Sequence, residues 1–147
     1  MLRLLKKFNM PVDDLVTVYS GYVRPLTECS APVWNSGITA KQQTAIERVQ
    51  KRACKIILGN KYATYDGALT TCNLTDLTQR RKHLCLTFVK SMMSSPMFRE
   101  WLPPLRGSST KRLLRNSDHL TTVFCRTKRY QDSPIPYLIG LYNEQLK

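Results

Sequence analysis

Thr39 and Gln42 stand three residues apart at the head of an apolar pattern, and Gly59 stands directly behind its end. A Thr hydroxyl that accepts from the third backbone N–H, with a Gln there reaching back, closes two of the donors that a helix start leaves open. A glycine behind the last turn supplies the left-handed backbone that ends a helix. The spacing therefore predicts one long helix between Thr39 and Gly59. Ile46, Val49, Ala53 and Ile56 recur on one side of it and form the expected buried stripe. Arg48, Lys51, Arg52 and Lys55 also recur at helical spacing, about 130° round the axis from that stripe at ~100° per residue. Like charges so placed cost a few tenths of a kcal/mol per pair. With only Glu47 nearby, such a face points to an anion that meets it.

The remaining pattern is helical as well. Pro11 opens a run in which Leu15, Val18, Tyr19, Tyr22 and Leu26 share one stripe, with Asn9 as the expected cap and Asp13 and Asp14 in the first turn. Pro25 is expected to kink or end that helix near Arg24. Thr64 caps a short helix over 65–71. A third long helix begins after Thr75, with Leu77, Leu84, Cys85, Phe88 and Met92 on one face, Arg81 snorkelling from it, and Ser94-Ser95-Pro96 as the stop. Residues 96 to 132 lose clean periodicity, and between Arg106 and Tyr130 the basic residues, Arg112, Arg115, Arg126, Lys128 and Arg129 among them, face only Asp118. Ser133-Pro134 starts a last helix that docks through Ile135, Leu138, Ile139 and Tyr142. The fold class expected is all-α: a small bundle of three long helices plus a short one, a basic connector and a docked C-terminal helix.

A chain of 147 residues leaves room for one modest core and not for a second full domain. With 42% hydrophobic and 22% charged residues it is no disordered tail. No apolar run reaches membrane-spanning length, and the start is too short in its apolar part for a signal peptide. Five cysteines, odd in number and scattered, read as reduced thiols in an intracellular protein rather than a disulfide framework. The net charge of +13 calls for a polyanionic partner, a nucleic acid or an anionic membrane surface. It carries no base specificity, because phosphate attraction is common to every sequence.

Catalytic and metal chemistry find little to stand on. Asp13 and Asp14 are adjacent, as in two-metal sites, but at a helix start they suit the dipole instead. Cys72, His83 and Cys85 lack the paired-cysteine spacing of a zinc site, and the glycines never take phosphate-loop spacing. No cofactor is expected. Tyr62, Tyr65 and Tyr130 can stack on bases, although packing is the commoner use of such rings. Trp34 and Trp101 are assigned to packing.

Taken in order, Val18-Tyr19, Val23-Arg24-Pro25-Leu26, Ala31-Pro32-Val33-Trp34, Ile46 to Ala53 and Ile56-Ile57-Leu58-Gly59 form a series. It resembles the stretch behind the catalytic palm in non-LTR (LINE-type, jockey-like) retrotransposon reverse transcriptases. Leu74 to Lys82 resembles the leucine-then-arginine-rich helix start of that family. Arg126 to Tyr130, Ser133 to Pro136 and Leu141-Tyr142-Asn143 resemble its C-terminal tail. The residue pattern divides the chain into a helical domain over 1–95, a basic connector over 96–132 and a terminal helix over 133–147, and the resemblance implies that these are a helical thumb and its C-terminal extension. It implies a grip on template and primer, RNA or DNA, with an upstream polymerase domain as partner in a ribonucleoprotein. No palm precedes the segment, so a truncated reading frame without its own polymerase activity is expected. Candidate contacts are Arg48, Lys51, Arg52, Lys55, Arg80, Arg112, Arg115, Arg126, Lys128 and Arg129. Two other readings compete: an autonomous helical nucleic-acid module, and a protein-interaction or membrane-surface bundle with Leu2, Leu4, Leu5 and Phe8 as an apolar lip.

Overall fold

A computed structural model describes residues 1–108 and 115–146; Arg112 lies outside the described residues. The fold is all-α, and among the described residues no strand forms beyond one isolated antiparallel bridge between Leu105 and Leu120. The chain divides into two compact units, residues 1–29 with 39–81, and residues 30–38 with 82–147. Two buried apolar clusters obey the same division, so the hydrophobic residues gather around two centres where one core was expected.

The first unit begins with α1 (Leu2–Lys7), which the basic lead-in conceals in the sequence. Asn9, expected to cap the next helix, instead ends this one. It takes a left-handed backbone (φ 56°) while its N–H bonds to the Lys6 carbonyl and the Met10 N–H to that of Leu5. Asn tolerates that conformation, and this pair of bonds satisfies two open carbonyls at the helix end. Asn73 (φ 50°) closes α6 (Tyr65–Thr71) by the same device, with Leu74 N–H on the Leu69 carbonyl at 2.9 Å. Thr64 caps the start of α6 as expected, accepting from the Gly67 N–H.

Between them, α2 (Val12–Val18), a π-helical turn (Tyr19–Val23) and α3 (Arg24–Glu28) run on without a break. Pro25 sits in the first turn of α3 and does not end the helix. The widened turn just before it has already shifted the hydrogen-bond register that a missing N–H would break. The same turn corrects the apolar stripe: the extra residue rotates the next positions about the axis, so Leu15 and Tyr19 are buried but Tyr22 is 70% and Leu26 79% exposed. Val23 packs on the first cluster in the place that Tyr22 would have taken.

Helix α5 (Ala40–Leu58) carries the expected Thr39–Gln42 capping box, and Gly59 (φ 55°) stands behind its last turn. Its end is further tied by the Lys6 ammonium, 2.8 Å from the Ile57 carbonyl, where the helix dipole favours a cation. The buried face is turned about one residue from the expected stripe. Gln50, Ala53, Cys54, Ile57 and Leu58 are buried, Ile46 and Ile56 only partly so, and Val49 is exposed. Gln50 makes this possible. Its Oε1 accepts from Tyr19 Oη at 2.8 Å, and its Nε2 donates to the Thr75 carbonyl at 2.8 Å and to Tyr65 Oη at 3.1 Å. A buried amide so fully bonded costs little to hold inside.

Helix α7 (Leu77–Ser94) supplies residues to both units and stops before Pro96 as expected. Leu77, Arg81, Cys85, Val89 and Met92 are its buried positions. Arg81 is fully buried rather than snorkelling, and Phe88 is largely exposed.

In the second unit, α4 (Ala31–Trp34) packs against α10 (Pro134–Gln145), with Asn35 Nδ2 donating to Tyr137 Oη at 3.1 Å. Ile135, Leu138, Ile139 and Tyr142 all join its apolar cluster, as the sequence pattern anticipates. The intervening stretch forms α8 (Pro96–Arg99), a 3₁₀ turn at 106–108 and α9 (Lys128–Gln131), and it contributes Leu102 and Leu120 to the core. Asn143 holds Leu120 by its backbone, accepting its N–H at 2.9 Å and donating to its carbonyl at 3.0 Å.

Replacing Gln50 by Ala leaves the Tyr19 hydroxyl and the Thr75 carbonyl without this partner and opens a cavity. The expected loss is about 2–4 kcal/mol in urea unfolding monitored by circular dichroism. An unchanged midpoint would show that the buried amide is dispensable.

Candidate nucleic-acid interface

Arg48, Lys51, Arg52 and Lys55 are all exposed on α5, opposite the face that Gln50, Cys54 and Ile57 bury. Among the described residues none of the four forms an ion pair with a carboxylate. Glu47, the acid nearest in sequence, is used elsewhere. Its carboxylate accepts the Leu77 N–H, 3.2 Å from Oε2, at the start of α7, and it also receives the Tyr65 hydroxyl. A carboxylate at a helix N-terminus is well placed for both the open N–H groups and the dipole. The cationic face is thereby left without its obvious counter-charge.

Two of the four cations are steered by aromatic rings. The Lys51 ammonium lies 5.7 Å from the centre of the Tyr65 ring, and that of Lys55 lies 5.3 Å from Tyr62. Such contacts are worth about 0.5–1 kcal/mol at exposed sites, enough to bias a flexible stem without binding the charge away from a phosphate. Tyr62 and Tyr65, read from sequence as rings able to stack on bases, are half-buried beneath these lysines. Burial, and then its bond to Glu47, raises the Tyr65 hydroxyl far above its ordinary range.

The other expected contacts fall into different company. Arg80 is ion-paired with Glu28, Nε to Oε2 at 3.3 Å, and Glu28 also meets Arg24 at 3.5 Å. Arg80 thus belongs to an acid-bridged pair of arginines beside α3, not to the open stripe. In the second unit Lys128 pairs with Asp132 at 2.9 Å, while Arg115, Arg126 and Arg129 are exposed. Trp101 departs from the packing role expected of it. It is 64% exposed and meets Phe98 edge-on, with ring centres 5.3 Å apart.

The remaining candidate groups of the sequence stand apart from one another. Asp13 and Asp14 lie exposed in the first turn of α2. His83 is exposed while Cys85 is buried, and Cys72 lies in the first unit next to Cys54. Among the described residues no three His, Cys, Asp or Glu side chains come together as a metal site, and no helix is long and apolar enough to cross a membrane. Burial, with Cys72 beside it, pushes the Cys54 thiol up to about 11 from an ordinary 9.0. Burial also raises Tyr19.

Comparison with protein-family models, curated proteins and solved structures finds no match to this chain.

The raised Cys54 thiol fixes the sign of an alkaline effect. A thiol harder to ionise when folded contributes stability that is complete below pH 9.0 and is lost as pH climbs towards 11. The urea midpoint is expected to fall over that window, and to fall less steeply in Cys54→Ala. Equal slopes in the two proteins would refute the assignment. At neutral pH iodoacetamide should label the exposed Cys29 well before the buried Cys54 and Cys72.

Proposed function

We propose that this chain binds the sugar-phosphate backbone of nucleic acid through the α5 face formed by Arg48, Lys51, Arg52 and Lys55. The observation that carries the reading is four exposed cations at helical spacing, none paired with an acid among the described residues, while Glu47 spends its charge on the start of α7. Lining up like charges is unfavourable by itself. A run of phosphates relieves that cost and releases condensed counterions, the main source of affinity for a contact of this kind. Affinity then depends steeply on salt and weakly on base sequence.

The ordered resemblance to the thumb and tail of non-LTR retrotransposon reverse transcriptases gives this binding a biological setting. On that reading the chain grips template and primer for a polymerase domain that supplies the metal-binding carboxylates. Asp13 and Asp14, spent on a helix start, do not replace them. The chain on its own then binds RNA or DNA and does not extend a primer. Arg115, Arg126 and Arg129 are further exposed cations available to phosphates, as Arg112 is by sequence, while Arg80 and Lys128 first have to leave their carboxylates.

Changing Arg48, Lys51, Arg52 and Lys55 together to Gln should flatten the plot of log affinity against log salt by about two to four units, each phosphate contact contributing nearly one. Helicity by circular dichroism should not change, since the altered face is exposed. A parental salt slope in this variant would place the contact surface elsewhere, and failure of the parent to bind heparin or polynucleotides in dilute buffer would end the proposal.

A further inference from the structure

The second unit carries an open groove of about 610 Å³ that the α5 face does not use, lined by Trp101, Tyr130, Pro103, Pro104, Ile135 and Glu100 among others. Its two rings are unusually accessible for aromatic side chains: Trp101 is 64% and Tyr130 46% exposed. The backbone around both is braced. Phe98 meets Trp101 at an interplanar angle of 78°, and Arg99 pins the wall behind it through Nη1, donating to the Leu102 and Pro103 carbonyls at 3.3 and 3.1 Å. Tyr130 rides on α9, whose start is capped by Thr127 Oγ1 accepting the Tyr130 N–H.

We infer that this groove is a stacking site for unpaired bases of a single-stranded nucleic acid. Accessible aromatic rings are what flat bases stack on, and every base has a face to offer. The charge beside the groove suits the same ligand. Arg126 and Arg129 are exposed on the stretch that supplies Tyr130, whereas Lys128 is held by Asp132. Glu100 is the one carboxylate among the described lining residues, so the groove interior suits bases better than phosphates. A duplex cannot use the site, because its base faces are already stacked on one another. The inference rests on the nucleic-acid reading above but assigns different residues, a different unit and a different form of ligand.

The test titrates the full chain into fluorescein-labelled oligo(dT) and into a blunt-ended, two-strand DNA duplex with equal numbers of phosphates. Trp101→Ala and Tyr130→Ala should each weaken oligo(dT) binding by about tenfold and leave the duplex within about twofold, because stacking is lost and phosphate contacts are not. The salt slope should stay parental, in contrast to the quadruple Gln variant. Trp101→Phe and Tyr130→Phe, which keep a ring, should recover most of the affinity, and circular dichroism guards against a folding defect. The inference falls if the Ala variants bind oligo(dT) as the parent does, if both ligands suffer equally, or if the Phe variants do no better than Ala. A poly-L-proline peptide that quenches tryptophan fluorescence in the parent but not in Trp101→Ala, where oligo(dT) quenches neither, would assign the groove to proline-rich peptides instead. Duplex binding that persists while ring removal has no effect sinks this site alone; a parent that binds neither ligand sinks both proposals.

Discussion

Everything distinctive about the first unit comes from burying one amide. Gln50 reaches Tyr19 at the π-helical turn, Tyr65 on the short helix α6 and the Thr75 carbonyl ahead of α7, so a single side chain joins four segments. Those bonds set the rotation of α5 about its own axis. Once Gln50 points inwards, Glu47 is brought to the first turn of α7, and Arg48, Lys51, Arg52 and Lys55 are turned to solvent. A core polar group that is fully bonded specifies one arrangement more sharply than an apolar one, which could slide. The charged face is therefore a consequence of how the core is keyed.

The second unit keys itself differently. Asn143 clamps both backbone groups of Leu120, whose neighbours His119 and Thr121 bond across to Arg106 and Pro104. An irregular segment is thereby held on both sides without forming a sheet. This explains how residues with no helical or strand periodicity can still deliver Leu120 to the core. Order there comes from side-chain clamps, which leave no pattern of their own in a sequence.

Helix existence is legible in the sequence because caps and stripes are local. Thr39 with Gln42, Thr64, Pro134 and the stop at Pro96 all act within a turn or two. The exposure of the α5 cations is legible for the same reason. The exact buried face is not, because Gln50 and Arg81 look like surface residues until their surroundings are known, and those surroundings are distant in sequence. Asn9 and Asn73 do not announce themselves as terminators, since Asn serves either end of a helix and only the backbone angle decides. Arg80 looks like one more free cation because Glu28, its partner, lies far back along the chain. Trp101 looks like core because large rings usually are, and nothing local to it says otherwise.

The widened turn at Tyr19–Val23 holds one residue more than a regular helix would accommodate there. A regular helix over the same residues would aim Leu26 inwards along the stripe begun by Leu15 and Tyr19. With the turn widened, Tyr22 and Leu26 lie at the surface instead, so one extra residue exchanges two inward-facing side chains for an oily flank open to solvent.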